Sequence, residues 1–397
     1  MKKGCSQFIA IVLMAAISFI CGIAGAVFYN EYVVSEVPEL QYIGSDQEDV
    51  QSHKEPEIVI MPSEDLTVAE AIAEKVMPSV VGISTVTTHS YGGFFGFGGG
   101  YSYDSMAVGT GVIIDKAGYI LTNSHVVNDG NMKSITVSLF DGADVEGKVL
   151  WTDAVLDLAV VKIEPQTRLT AAELGDSDEM KIGSYAAAIG NPLGLNFERS
   201  MSQGIISGLD RSIVVSNGMG GSFEMEGLMQ TDATINSGNS GGPLLNSEGE
   251  VIGINTAKAE SGEGMGFAIP INVAKPIVEQ IMREGHYERP YLGIRGISLQ
   301  EQREYNSDTL EEYFGTAVGI YIDSVASGGG AEKAGLRRGD VITAIDGTQV
   351  GSMNKLNTAL VRYRVGDQVS LSVMRDKKLL TLTVTLSGAG IFDFEKN

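Results

Sequence analysis

Between Val80 and Ala257 the chain is a succession of short β-branched runs: VVGIST, GTGVIID, SITVSLF, EGKVLWT, LAVVKI, SYAAAIG and EVIGINTA. Turn signals part several of them, at Asp115 to Gly118, Asp141-Gly142 and Ser247 to Gly249. No long helical pattern intervenes, and regular short strands of this kind predict antiparallel barrels or a sandwich. The 50 glycines among 397 residues, near twice the usual share of about 7%, fit a packed, turn-rich, mostly β protein. One stretch breaks the rhythm. Residues 90–105, SYGGFFGFGGGYSYDS, read as a glycine and aromatic insertion forming a long surface loop.

Helical patterns flank this region. LTVAEAIAEKVMPSV carries a helix period that stops at Pro78, and INVAKPIVEQIMREG is an amphipathic helix ending at Gly285. The character then changes, so the chain divides into one domain over residues 66–285 and another over 290–388. About a hundred residues suffice for an independent core. In the second block Leu356, Leu360 and Val361 recur at helical spacing, while QVSLSVMRD and KLLTLTVTL alternate as a hairpin about Asp376-Lys377-Lys378.

The N-terminus is of another kind. Phe8 to Phe28 holds no charged residue, and a helix of that length, at 1.5 Å per residue, crosses a hydrocarbon core of about 30 Å. Ala24 and Ala26 offer the small-x-small site of a cleaved signal, but such apolar regions run only about 7–15 residues, so the length favours an anchor over residues 1–29. Lys2 and Lys3 precede the segment and Glu31, Glu36 and Glu39 follow it, which places the N-terminus in the cytoplasm and the rest outside the cell membrane. Residues 30–65 are acidic and poor in large apolar groups, the composition of an extended tether. Both cysteines, Cys5 and Cys21, lie in the anchor region, so the remaining chain forms no disulfide. With 28 basic against 50 acidic residues the net charge is −22, which repels phosphate backbones and argues against a nucleic-acid partner.

The chemistry concentrates at Gly238-Asn239-Ser240-Gly241-Gly242-Pro243-Leu244. A serine hydroxyl is a weak nucleophile without a base and an oxyanion site, and glycines on both sides let the backbone expose Oγ and aim amides at one point. The chain offers four histidines as the base: His53 in the tether, His89 beside the insertion, His286 after a helix, and His125 in TNSHVV, where an apolar strand ends in a polar turn. His125 is the one held firmly enough. Asp157, in VLDLAVV, is a single carboxylate among apolar residues, costly to bury unless paired; Asp153, Asp176 and Asp178 stand in more polar surroundings. The order His125, Asp157, Ser240 is that of the chymotrypsin triad, the worked case for this chemistry.

TNSHVV, DLAVVKI, IGNPLG, QTDATINSGNSGGPL, GEVIGINTA and GFAIP, in that order, resemble the HtrA (Deg) family of trypsin-like serine proteases. YLGI with GGGAEKAGLRRGDVITAIDGTQV resembles a PDZ domain, and one anchor with one PDZ domain is similar to the membrane-anchored bacterial members. The resemblance implies two perpendicular six-stranded barrels with the site between them, protease domains that trimerise through their N-terminal segments, and no cofactor or metal. It gives His125 as base, Asp157 as its orienting partner, Ser240 as nucleophile, and the amides of Gly238 and Ser240 as the oxyanion hole. Asn239 replaces the Asp that pairs with a freed N-terminus in digestive relatives, so loops near Asn191 to Asn196 and Asn217 to Gly227 are implied to order the hole reversibly. The implied function is an endopeptidase for misfolded or regulatory polypeptides, with Tyr291, Leu292, Gly293 and Ile294 receiving hydrophobic protein C-termini. A membrane-bound chaperone with weak or no proteolysis is the competing class.

The implied substrate pocket comprises Thr234, Ile235, Ile254, Asn255 and Thr256. Thr234, six residues before Ser240, stands where trypsin-like pockets carry a basic-selecting Asp. Without that carboxylate we expect small or medium aliphatic P1 residues, loosely selected because a methylene is worth only about 1–3 kcal/mol. A peptide-library profile dominated by Lys or Arg would show this placement of Thr234 to be wrong.

Overall fold

The computed structural model describes residues 67–91, 101–165, 167–191, 199–216, 222–236, 238–258, 264–301 and 307–388. The apolar segment, the tether, both cysteines and His53 lie outside the described residues. Among the described residues no helix is long and apolar enough to cross a membrane.

Helix α1 (Val68–Val76) opens with a capping box: Thr67 Oγ1 accepts the Glu70 N–H, and the Glu70 carboxylate accepts the Thr67 N–H at 2.8 Å. Its apolar face buries Ile72 and Val76, and Pro78 closes it in a short 3₁₀ turn.

Six strands follow: β1 (Val80–Tyr91), β2 (Tyr101–Asp115), β3 (Tyr119–Thr122), β4 (Ser134–Ser138), β5 (Asp144–Asp153) and β6 (Leu158–Ile163). They close a barrel in the order β1-β2-β3-β6-β5-β4. The next six, β7 (Tyr185–Gly190), β8 (Ser200–Ser216), β9 (Ser222–Thr231), β10 (Pro243–Leu245), β11 (Val251–Lys258) and β12 (Gly266–Pro270), close a second as β10-β11-β12-β9-β8-β7.

Alternation of side chains along a strand lets one strand serve two cores. Ile113 and Ile120 point into the first barrel, while their neighbours Val112 and Leu121 join a layer between the barrels. That layer also takes Val80 and Val160 from the first barrel and Ala187, Ile189, Leu245 and Ile254 from the second. Helix α2 (Ile271–Glu284) covers it with Ile277, Val278 and Ile281, and ends where Gly285 turns left-handed at φ 78°.

Two expectations need correction. All of the 90–105 stretch that falls within the described residues is paired strand, with Ser90 opposite Ser102 and Tyr91 opposite Tyr101, in one long antiparallel pairing of β1 and β2; residues 92–100 lie outside the described residues. Likewise Ser222 to Gly227, expected to be loop, belongs to β9, with Val215 opposite Phe223, while residues 217–221 lie outside the described residues. In both places paired strand extends further toward the glycine-rich stretch than the composition suggested.

The second domain is a sheet of β13 (Ile294–Ser298), β14 (Ile320–Val325), β15 (Val341–Ile345), β16 (Thr348–Gln349), β17 (Gln368–Arg375) and β18 (Lys378–Thr385). With α3 (Ser307–Phe314), α4 (Gly330–Lys333) and α5 (Met353–Leu360), it encloses a core that includes Ile320, Ile342, Leu371 and Val373. Asp376 and Lys377, both left-handed at φ 49° and 60°, make the two-residue hairpin turn. Helix α5 faces β9. Asn354 Nδ2 donates to the Glu224 carbonyl at 3.1 Å, Lys355 pairs with Asp210 at 2.8 Å, and the Ser352 hydroxyl meets the Glu226 carboxylate. Val361 is buried and joins the same apolar cluster as α2, and Arg362 forks onto Asp178 with two contacts of 3.0 Å.

Candidate active site

Asp157 occupies the turn before β6 with φ 50°, a left-handed conformation uncommon outside glycine. Neighbours over-determine it. The Asn123 side chain donates to its carbonyl at 2.8 Å, and Asp153 Oδ1 closes the preceding turn by accepting the Val155 and Leu156 amides at 3.0 Å each. Its carboxylate is buried and takes the His125 N–H at 3.1 Å, His125 Nδ1 at 2.9 and 3.0 Å, and Thr256 Oγ1 at 2.5 Å. Three donors make this buried charge tolerable.

His125 begins the 3₁₀ segment His125–Gly130, directly after β3, and its ring is half-exposed. With Nδ1 donating to Asp157, the tautomer leaves Nε2 as an acceptor. Burial works against the charged ring, but the hydrogen bond and charge of Asp157, reinforced by Asp129, outweigh it and raise the His125 pKa above its ordinary 6.5. Asp129 is held nearby by the Ser124 hydroxyl at 2.6 Å.

Ser240 sits in a turn shaped by Gly238 at φ 105° and Gly241 at φ 83°. A Cβ on Gly241 would lie 2.2 Å from both the Thr110 carbonyl and the Thr122 hydroxyl, so only glycine fits there. Asn239 is buried and bonds within its own turn: Oδ1 accepts the Asn236 N–H and Nδ2 donates to the Thr234 carbonyl, both at 3.0 Å. The Ser240 hydroxyl donates to the Thr256 carbonyl at 2.9 Å. Thr256 therefore touches both ends of the constellation, the Asp157 carboxylate through its side chain and Ser240 through its main chain. In this conformation the Ser240 proton points at Thr256, so handing it to His125 requires the hydroxyl to rotate. The amides of Gly238 and Ser240 donate to no protein group among the described residues.

The five residues expected to line the pocket separate. Thr234 is exposed, and Ile235 is buried against Gly266. Ile254 and Asn255 are fully buried, and Asn255 grips the back of the Ser240 turn: its N–H donates to Gly242, its carbonyl accepts from Gly241, and its side chain donates to Pro243 at 3.0 Å. They stand behind the turn rather than on an open wall, and Thr256 stands behind Asp157. Thr256 and Asn123 thus hold the site in ways the sequence did not announce. The available signal was a polar residue inside an apolar run, in GINTA and YILTN.

The other candidates disperse. His286 places Nδ1 3.2 Å from the Glu284 carbonyl at the end of α2, and Asp178 is taken by Arg362. Asp153 Oδ2 pairs with Arg289 at 2.9 Å, both largely buried, and beside them Trp151 meets Tyr287 edge-to-face at 5.6 Å. Desolvation pushes the Tyr287 hydroxyl up to about 12. In the second domain, Tyr291 exchanges two backbone bonds with Ser387, Leu292 is buried, Gly293 is left-handed at φ 79°, and Ile294 opens β13 opposite Val325. The Leu292 and Gly293 amides donate to no protein group among the described residues. Among those residues no group of three or more His, Cys, Asp or Glu gathers as metal ligands.

Comparison with known proteins agrees with this geometry. Residues 109–254 match the trypsin-like peptidase domain family and residues 290–386 the PDZ domain family. The chain is 38% identical over 335 residues to the serine protease Do-like HtrA of Bacillus subtilis, covering 82% of this chain and 74% of the relative. It is 40% identical over 363 residues to the HtrB protease of the same organism, covering 87% and 78%. The solved structure of the HtrA-type protease AlgW with decapeptide superposes with a TM-score of 0.59 at 29% identity, covering 82% of this chain and 99% of that one. The chain belongs to the HtrA family, as a trypsin-like serine protease followed by one PDZ domain.

Proposed function

We propose that the chain is an endopeptidase acting by acyl transfer through Ser240, His125 and Asp157. The observation that carries this is the buried Asp157 carboxylate, shared between His125 Nδ1 and Thr256 Oγ1 while the Thr256 carbonyl holds Ser240. Once Ser240 turns toward His125, Nε2 takes its proton as Oγ attacks the scissile carbonyl. Asp157 supports the resulting imidazolium, and the amides of Gly238 and Ser240 receive the oxyanion. Collapse expels the amine with the proton from His125, and water repeats the sequence on the acyl-enzyme. Polypeptides are the substrate class, in keeping with the decapeptide of the AlgW structure.

Ser240→Ala is expected to abolish hydrolysis of a reporter peptide with folding intact, and Asp157→Asn to lower kcat by about 10⁴-fold if the chymotrypsin template transfers. His125 must be neutral to act as base. Its raised pKa therefore moves the acid limb of kcat/KM above pH 6.5, and Asp129→Asn should move that limb down. Retained turnover in purified Ser240→Ala would refute the assignment.

We further propose that residues 291–294 receive the free C-terminus of a hydrophobic peptide. The left-handed Gly293 and the two amides with no protein partner suit a carboxylate, and β13 offers an edge for an added strand. Amidating the peptide should abolish binding to residues 31–397; unchanged binding would sink the idea. Binding alters turnover only if it discriminates active from inactive conformers.

The apolar segment 8–28 supports an extracytoplasmic, membrane-anchored setting for a trimeric enzyme. Alkaline washing of membranes should leave the full chain in the pellet; its release to the supernatant would overturn the anchor.

A further inference from the structure

Thr110 lies in β2 of the first barrel, between Gly109 and Gly111, and is fully buried. All its polar groups serve the neighbourhood of Ser240. Its N–H donates to the Ser240 carbonyl at 3.0 Å. Its hydroxyl donates to the Gly238 carbonyl at 2.5 Å and accepts the Asn191 N–H at 3.0 Å. Its own carbonyl accepts the Thr122 hydroxyl at 2.7 Å, three residues before His125. One residue thus ties the strand leading to the imidazole, the turn carrying the serine, and the end of β7.

The two carbonyls it grips flank Asn239. A turn with glycines at 238 and 241 has little intrinsic preference among backbone conformations, so its peptide planes take the orientation that outside contacts impose. Local bonds from Asn239 fix the middle of the turn, but they do not reach the carbonyls of Gly238 and Ser240. Those are held from outside the turn, by Thr110 of the opposite barrel on both and by the Asn191 amide, at the end of β7 in the same barrel, on Gly238 at 3.3 Å. Asn191 is itself buried and anchored, its Oδ1 accepting the Arg199 N–H at 2.8 Å.

We propose that Thr110 is a positioning residue for oxyanion stabilisation: by clamping the Gly238 and Ser240 carbonyls it fixes the turn in the conformation from which the Gly238 and Ser240 amides reach the developing negative charge. The inference rests on the acyl-transfer reading above. Thr110 touches no substrate atom, and its effect is exerted wholly through the turn. Because the hydroxyl is both donor and acceptor, a side chain of the same shape without it releases the Gly238 carbonyl and the Asn191 amide, while the main-chain bond to Ser240 and the packing stay.

Thr110→Val makes that change, and Thr110→Ser restores the hydroxyl without the methyl. For Thr110→Val we expect kcat on a reporter peptide to fall about tenfold to hundredfold with KM little changed, since amides displaced from the oxyanion lose transition-state contacts alone. Affinity for a peptide boronic acid, which forms a tetrahedral adduct on Ser240, should fall in step with kcat, while affinity for the corresponding product peptide holds. Thr110→Ser should recover most of kcat, and the midpoint of the acid limb should stay where it is in the unaltered protein. Wild-type kcat in folded Thr110→Val overturns the proposal. So does a loss that appears equally in product binding and melting temperature and is not recovered by Thr110→Ser, the pattern of a merely structural bolt. Should Thr110→Val fail to fold, Thr110→Ala decides by the same pair of affinities. A folded wild-type protein that hydrolyses no peptide refutes acyl transfer itself, and the clamp with it; an active wild type beside an unimpaired Thr110→Val refutes the clamp alone.

Discussion

A single buried carboxylate organises this protease. Asp157 has been withdrawn from water, and an anion in that position persists only where donors surround it. The donors come from both barrels: the His125 ring and amide from the first, the Thr256 hydroxyl from the second. Satisfying one charge therefore joins the two barrels at the place where chemistry is needed. Loss of a donor would leave more than a weakened contact, because a buried carboxylate short of donors drives local rearrangement.

The layer between the barrels does complementary work. Its aliphatic side chains alternate with those pointing into each barrel, so the strands carrying His125 and Ser240 are packed on both faces. Close packing of this kind leaves little room for adjustment. The glycines at 190 and 241 mark close approaches around the site; a Cβ on Gly190 would stand 2.3 Å from that of Asn239. Rigidity in the framework contrasts with the one easily rotated bond, that of the Ser240 hydroxyl, whose present partner is Thr256.

Much of this was legible in the sequence, for physical reasons. Runs such as LAVVKI and SYAAAIG are buried on both faces and became β6 and β7, and Gly285 ends α2 because it accepts a left-handed conformation at no steric cost. The two long strand pairs were harder. Around residues 90–105 and 217–227, glycine-rich stretches masked the alternating strands beside them, and a polar strand projecting past a barrel lacks the apolar signal that marks a buried one. In the site, His125, Asp157 and Ser240 were legible because each is an unusual residue type for its surroundings. Thr110, Asn123 and Thr256 were not, since a threonine or asparagine at the end of an apolar run acquires meaning only from partners brought close by folding, such as Asp157 at 99 positions from Thr256. The burial of Ile254 and Asn255 was hidden for a related reason: they adjoin Thr256 in sequence, but they turn inward.

The joint between the two domains is not a loose string. Tyr287 lies edge-on against Trp151, and Arg289 forms a largely desolvated pair with Asp153, so the segment leaving α2 is stitched to β5 as far as residue 289. Swivelling of the PDZ domain would have to break the contacts of α5 with β9 and of Arg362 with Asp178, and then bend the chain from Pro290 onward or open the stitches. Because the other oxygen of Asp153 closes the turn that presents Asp157, opening them would slacken the mounting of the buried carboxylate itself. The linker between the domains is thereby continuous, through one aspartate, with the support of the residue that bonds the imidazole.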